Sequence, residues 1–361
     1  MNSYTHNTGT FIGKGGTEIF FQNWCVDKPR GVLVIAHGVG EHSGRYNNII
    51  NELKGNSISI YALDHRGHGR SGGKRGHIDS LMDYVYDLKL FIDLIKEENN
   101  EIPLVLLGHS LGGVIATKYA LAYSEDINSL ILSSPGFIHL VEVPGWKKSL
   151  LKFTSQYAPS LTQPTRLDAR YLSHDPDVIE AYENDRLVHN KVSTRFYTEF
   201  TKACDECLNR APELRMPLLV FHGKEDKIVD YRGSEMLFNN ASSPNKNIHL
   251  FDGLYHETMN EIENKKVLQI AARWIVKAIS KKKISKHAKI NRPKKPIKRI
   301  VTKSVRKAEH IFFKKAPKKK GAKKTIKKGV KKIVGTTKKT AKKTVKKAAK
   351  KSAKKTVKKK R

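Results

Sequence analysis

Cysteine is scarce. Cys25, Cys204 and Cys207 are the only three in 361 residues, too few for a disulfide framework. Cys204-Asp205-Glu206-Cys207 is a lone Cys-x-x-Cys; a zinc site takes four ligands, usually from two such pairs, and a redox motif would want a thioredoxin-like setting. The opening stretch, Met1-Asn2-Ser3-Tyr4-Thr5-His6-Asn7, lacks the apolar core of a secretory signal. No apolar run is long enough to cross a bilayer. These absences lead us to expect a soluble chain of a reducing compartment, the cytosol. Two further scarcities are local. Aromatic residues stop at Phe313, and beyond Lys281 the only acid is Glu309.

What is present is charge, unevenly placed. The formal net charge is +35, yet Lys281–Arg361 alone holds 38 of the 69 Lys and Arg residues. The first 280 residues keep 31 basic against 33 acidic side chains and are close to neutral. The sequence therefore divides into a body, 1–280, and a polycationic tail, 281–361. The body is long enough for one large core. The tail is poor in large apolar residues and self-repelling, so disorder is expected when it is free.

Along the body, short apolar runs alternate with helical patterns. Gly31–His37, Asn56–Leu63, Leu104–Leu107, Ser129–Ser133, Pro217–Gly223 and Asn247–Phe251 read as strands. Leu81, Val85, Leu88, Ile92 and Ile95 recur at helical spacing and predict a helix over 79–98. Further helices are expected over 111–123 and 262–279. Such alternation predicts a mostly parallel sheet with helices on both faces. It breaks off over about 135–211, which reads as an irregular insertion capping the strand ends, where ligands bind in open α/β sheets.

Gly108-His109-Ser110-Leu111-Gly112 lies between a predicted strand and a predicted helix. A Gly-x-Ser-x-Gly turn in that setting lifts the serine hydroxyl out of the sheet. Side chains at either glycine would strike the neighbouring strand or helix. Serine needs a base, an orienting acid and an oxyanion hole. In this sheet type they follow in the chain order serine, acid, histidine. Asp226 follows one strand and His256 the next, so both belong to loops at the same sheet edge as Ser110. Glu225 and Asp230 flank Asp226 as less well placed acids. His249 lies inside a strand and His222 at a strand end, while His256 alone in the body follows the last strand. The backbone N–H groups of Leu111 and Val39 are the expected oxyanion donors. This chemistry needs no metal and no organic cofactor.

Four ordered motifs now stand together: His37-Gly38-Val39-Gly40-Glu41-His42-Ser43-Gly44-Arg45-Tyr46, Asp64-His65-Arg66-Gly67-His68-Gly69-Arg70-Ser71-Gly72, Arg75-Gly76, and the Ser110 turn. With them the body resembles the monoacylglycerol lipase and lysophospholipase branch of the α/β-hydrolase fold. That resemblance implies an esterase releasing a fatty acid from a monoacylglycerol or lysophospholipid. Ser110, Asp226 and His256 match its triad, and Val39 and Leu111 its oxyanion donors. Glu41, Arg45 and Tyr182 match positions lining the glycerol end of the pocket; the plainer alternative for Glu41 and Arg45 is an ion pair anchoring the loop. Met259 departs from relatives that hold a second histidine there.

In the insertion, Val141, Val143, Trp146, Leu150, Leu151, Phe153 and Leu161 surround Lys147, Lys148 and Lys152. They read as packing of the cap against the sheet, with a few lining an acyl-chain tunnel and a rim that touches membrane. From Thr336 the tail repeats every four residues with a lysine pair in each unit, and it resembles linker-histone and bacterial histone-like tails. A polycation of this density is expected to bind nucleic acid through its phosphates without reading sequence; anionic membranes and polyphosphate compete. Nucleoid or membrane association follows from such partners, and Arg292–Arg299 would serve as a nuclear-import signal in a eukaryotic host. Two other functions stand beside the esterase: a nucleic-acid-associated structural protein with a vestigial hydrolase body, and a serine aminopeptidase.

Overall fold

A computed structural model describes residues 4–280 apart from 100–101, 141–143 and 166, without the side chains of 147 and 148. The tail, 281–361, lies outside the described residues, as do Val141 and Val143.

The described residues form ten strands and eight α-helices. The strands are β1 (Thr5–Ile12), β2 (Glu18–Cys25), β3 (Gly31–Ala36), β4 (Ile58–Leu63), β5 (Leu104–His109), β6 (Ser129–Ser133), β7 (Thr162–Pro164), β8 (Lys191–Ser193), β9 (Leu218–Gly223) and β10 (Lys246–Phe251). The helices are α1 (Asn47–Glu52), α2 (Met82–Glu98), α3 (Leu111–Ala122), α4 (Gly145–Tyr157), α5 (Pro176–Asn184), α6 (Thr194–Asn209), α7 (Arg232–Asn240) and α8 (Lys265–Ser280). Eight strands make one sheet in the order β1-β2-β4-β3-β5-β6-β9-β10. It is parallel from β4 to β10, and β1 and β2 join antiparallel at one edge.

Every residue of β3, β4, β5, β6 and β9 is buried. That is why these strands read as continuous apolar runs: both faces of a parallel sheet are covered. Alternate residues part to opposite sides. Val32, Val34, Leu104, Leu106, Leu130 and Leu132 pack with α2 and α3. Leu33, Ile35, Val105, Leu107 and Ile131 pack with α1 and α8.

The insertion between β6 and β9 is more ordered than its sequence suggested. It holds α4, α5, α6 and the two-stranded β7–β8 pair. The α6 helix buries Phe196, Phe200, Ala203, Cys204 and Cys207 on one face, against the core of the body. Cys204 and Cys207 are thus free, buried thiols, whose Sγ atoms reach the carbonyls of Gly136 and Val114. Burial lifts the Cys207 thiol to about 12, which suits packing and not redox exchange.

One expectation for α4 fails. Of its apolar side chains, Leu151 is buried, but Trp146 is 71%, Leu150 50% and Phe153 60% exposed, with Leu161 beyond the helix at 54%. Spaced i, i+4 and i+7, the first, second and third of these exposed residues form the stripe facing away from α6, so they do not pack on the sheet.

Candidate active site

The Ser110 turn is built by close approach. A Cβ on Gly108 would collide with the carbonyl of Gly112, and one on Gly112 with the carbonyl of Ala36 on β3. Two bare Cα positions let α3 start directly behind β5. Ser110 is held at φ 52°, ψ −117°, a strained conformation for a residue with a side chain. Its N–H donates to Ser133 O on β6 at 3.0 Å, and its carbonyl accepts from Gly113, Val114 and Gly136. The strain is therefore fixed from both sides.

Leu111 opens α3, so its N–H has no acceptor within the helix. The next loop over supplies a matching group. Gly38 N–H is already taken by Glu41 Oε1 at 2.5 Å, whereas Val39 N–H donates to no acceptor among the described residues. Gly38 lies against Ser110: a Cβ there would sit 3.2 Å from the serine Cβ. Two free N–H groups thus flank the serine turn.

Asp226 follows β9 and His256 follows β10, at the same sheet edge. His256 Nδ1 donates to Asp226 Oδ2 at 2.6 Å, and both side chains are buried. The other carboxylate oxygen accepts from the N–H groups of Ile228 and Val229 at 2.8 and 2.9 Å. Burial would raise the Asp226 carboxyl, but the His256 charge and the bonds from His222 and His256 outweigh it and hold it far below the usual range. Burial would lower His256, yet the Asp226 charge and bond, with Glu257 and Glu41, leave it raised. With Nδ1 committed to the acid, Nε2 is the nitrogen left to exchange a proton. The His109 ring lies 4.9 Å from that of His256, so the residue next to Ser110 touches the imidazole. The structure records no hydrogen bond between the Ser110 hydroxyl and His256.

The competing candidates are placed elsewhere. Glu225 is exposed and pairs with Lys227. Asp230 binds Arg232. His249 stays within β10. His222 is different: it donates to the same Asp226 oxygen, at 3.0 Å. A histidine at a strand end gave no sequence signal for that role. Ligand-type atoms of His222, Asp226 and His256 lie within 4.8 Å of one another; two imidazole–carboxylate hydrogen bonds explain the crowding.

Glu41, Arg45 and Tyr182 come together in a buried ionic cluster. Glu41 accepts from Gly38 N–H, the Tyr46 hydroxyl and Arg45. Arg45 stacks over the Tyr182 ring at 4.8 Å from its centre. The guanidinium also forks onto Glu257 at 2.6 and 3.0 Å. Burial opposes ionisation of Glu41, but Arg45, His109 and His37 bring it down to about 2. Glu257, unmarked by any motif, is the missing member of this cluster. A small cleft is lined by Glu41, Tyr46, His109, Glu257, Met259 and Asn260. So the loop-anchoring ion pair is present, and it also borders a cavity beside the imidazole.

The insertion is stitched to the His256 loop. Glu257 N–H donates to Leu172 O at 2.8 Å. Glu261 accepts from the His174 and Tyr255 N–H groups at 2.9 and 2.7 Å. The His174 ring stacks on Tyr255 with centres 3.7 Å apart.

Comparison with known proteins places the fold in a family. The profile of the family described as Serine aminopeptidase, S33 (Hydrolase_4), matches residues 27–263. A monoacylglycerol lipase of Mycolicibacterium smegmatis is 36% identical over 76% of this chain and 99% of its own length. Phospholipase YtpA of Bacillus subtilis is 34% identical over 69% of this chain and 96% of its own. The crystal structure of Paleococcus ferrophilus monoacylglycerol lipase superposes with a TM-score of 0.65 at 31% identity, over 76% of this chain and 99% of that one. A strained serine turn, a buried imidazole–carboxylate pair and relatives matched almost end to end lead to one conclusion: the chain belongs to the Hydrolase_4 family of α/β-hydrolases and is an enzyme of the lipase and esterase class.

Proposed function

We propose that the body, 1–280, hydrolyses the ester of a single-chain lipid, a monoacylglycerol or a lysophospholipid. The observation that carries this is the 2.6 Å bond from His256 Nδ1 to Asp226 beside the strained Ser110 turn. In this reading His256 Nε2 takes the Ser110 proton as the hydroxyl oxygen attacks the ester carbonyl. Asp226 keeps the imidazole in the needed tautomer and stabilises its cation. The N–H groups of Val39 and Leu111 receive the oxyanion. His256 passes the proton to the departing alcohol, leaving an acyl ester on Ser110. Water, deprotonated by the same nitrogen, then releases the fatty acid. Glu41, Arg45 and Tyr182 border the end that takes the glycerol.

Two features bear on where the lipid is met. No helix among the described residues is long and apolar enough to cross a membrane. The exposed stripe of Trp146, Leu150 and Phe153 on α4 suits peripheral contact with a lipid surface. The Lys-rich tail, 281–361, is assigned to a polyanion, nucleic acid before anionic membrane, and the enzyme to the cytoplasm.

Hydrolysis of a medium-chain glycerol monoester by the wild-type chain and by Ser110→Ala tests the reading. Loss of turnover in the variant is expected, and equal rates overturn it. Peptide amides run alongside decide against an aminopeptidase if they are left intact. A gel shift with and without residues 281–361 tests the tail: unchanged nucleic-acid affinity at moderate salt removes that assignment.

A further inference from the structure

Asp226 accepts four hydrogen bonds. Two come from backbone N–H groups onto Oδ1. The other two come from imidazoles onto Oδ2, His256 at 2.6 Å and His222 at 3.0 Å. His222 is completely buried near the end of β9. Its Nδ1 lies 2.7 Å from the hydroxyl of Ser234 on α7, also completely buried.

The protons in this chain of contacts can be assigned by elimination. A carboxylate only accepts, so His222 Nε2 carries the hydrogen that faces Asp226. The Val229 carbonyl also faces this ring and favours its protonation; in the neutral ring the single N–H is the one facing Asp226, so Nδ1 accepts and the Ser234 hydroxyl donates. Burial, the largest influence on His222, holds it below the usual histidine value despite the neighbouring carboxylate. The ring therefore stays neutral when His256 becomes a cation. The sequence of bonds runs from Ser234 to His222 to Asp226, and meets the bond from His256 on a single oxygen.

We propose that His222, with its tautomer set by Ser234, is a positioning residue that shares Asp226 Oδ2 with His256 and thereby lowers the proton affinity of the base. This inference rests on the catalytic reading above. Its physical content is competition. A hydrogen bond donated to Oδ2 by His222 draws charge from the oxygen on which the His256 cation depends. Without that donor the carboxylate binds the imidazolium more strongly, and His256 holds its proton to higher pH. Asp226 also loses a fixed contact that keeps its plane aligned with the His256 ring.

The other groups facing His256 are Glu257 in its own loop, Glu41 after β3 with Arg45 beside it, His109 at the end of β5, and His139 in the segment after β6. None of them is altered by a change at 222 or 234. A shift in the titration of the base therefore reports the shared oxygen.

The test is the pH profile of kcat/KM for a soluble glycerol ester, with the full chain and the variants His222→Leu, His222→Gln and Ser234→Ala. In His222→Leu the acid limb is expected to move up by about one pH unit, the effect of losing a hydrogen bond to a charged group. At optimal pH kcat falls and KM is unchanged. His222→Gln restores the wild-type limb, because a carboxamide N–H reaches the place of Nε2–H. Ser234→Ala, the smallest change, frees the tautomer and moves the limb part of the way. A folded His222→Leu with the wild-type limb overturns the proposal, as does a glutamine variant shifted as far as leucine. If leucine prevents folding, Ser234→Ala decides: an unmoved limb there rejects the role. Ser110→Ala, assayed in parallel, separates the two levels. An active Ser110→Ala ends the catalytic reading itself. An inactive one beside an unshifted His222 series ends only this inference.

Discussion

Arg45 clamps Glu257 with two hydrogen bonds, from Nη1 at 2.6 Å and Nη2 at 3.0 Å. Glu257 is the residue after His256, so a guanidinium on the Val39 side of the site holds the backbone that carries the proposed base. The pair is buried, and removing one partner strands the other charge out of water.

Arg45→Met should therefore cost more than a surface ion pair. We expect a loss of about 3–5 kcal/mol in unfolding free energy, the usual effect of stranding a buried charge. Arg45→Lys keeps the charge without the fork and should recover only part of it. Urea unfolding of the three chains measures this; a change under about 1 kcal/mol for methionine would show the clamp to be idle.

Asp226→Asn tests the orientation of the base with little change of shape. An amide cannot accept from both imidazoles and stabilise a cation as well. A fall in kcat of around 10⁴-fold is expected, with KM little altered. Single-turnover acylation by an activated ester gives the number directly.

Activity should rise with pH through a value above the ordinary one for histidine, because the Asp226, Glu257 and Glu41 charges raise His256 against the pull of burial. Stability moves with pH for a different reason. Burial, and the nearby His256, hold His109 and His139 down at about 4. The unfolded chain protonates these rings near 6.5 and the folded chain only near 4. Their contribution is complete above the unfolded value and is lost as pH falls through that window. Going from pH 7 to pH 5 should cost on the order of 1–2 kcal/mol for each ring. Thermal melts across that range check the sign: a chain more stable at pH 5 than at pH 7 would contradict it.

Trp146→Ser with Phe153→Ser separates surface contact from chemistry. Both side chains are exposed on α4. The double variant should keep its turnover of a monomeric short-chain ester and lose several-fold in rate on substrate packed in vesicles, each aromatic giving up apolar burial. Equal losses on both substrates would count against a lipid-facing stripe.

The parts of the fold that could be read in advance were those whose burial is simple. β3, β5 and β9 are covered on both faces, and their apolar runs were unmistakable. The β1–β2 edge went unread because β1 is mostly exposed and its pairing carries little apolar alternation. The insertion reads as irregular in sequence, although Phe196, Phe200, Ala203 and Cys207 stand at helical spacing on α6. Asp226 and His256 could be chosen because chain order and strand ends constrain them. His222 and Glu257 could not: Glu257 acts through Arg45, far away along the chain, and His222 meets Asp226 only because the turn after β9 folds back on the strand. The four-histidine content of the two glycine-rich motifs was likewise opaque. His37, His65 and His68 form one packed group with His189 from the insertion, a matter of tertiary fit.

The strap from Leu172 to Glu257, and the ring of His174 lying on Tyr255, join the roof of the site to the loop that bears its imidazole. Any displacement of the insertion at that corner would be passed directly to the backbone next to His256, so the setting of that ring depends on a segment more than eighty residues away in the chain.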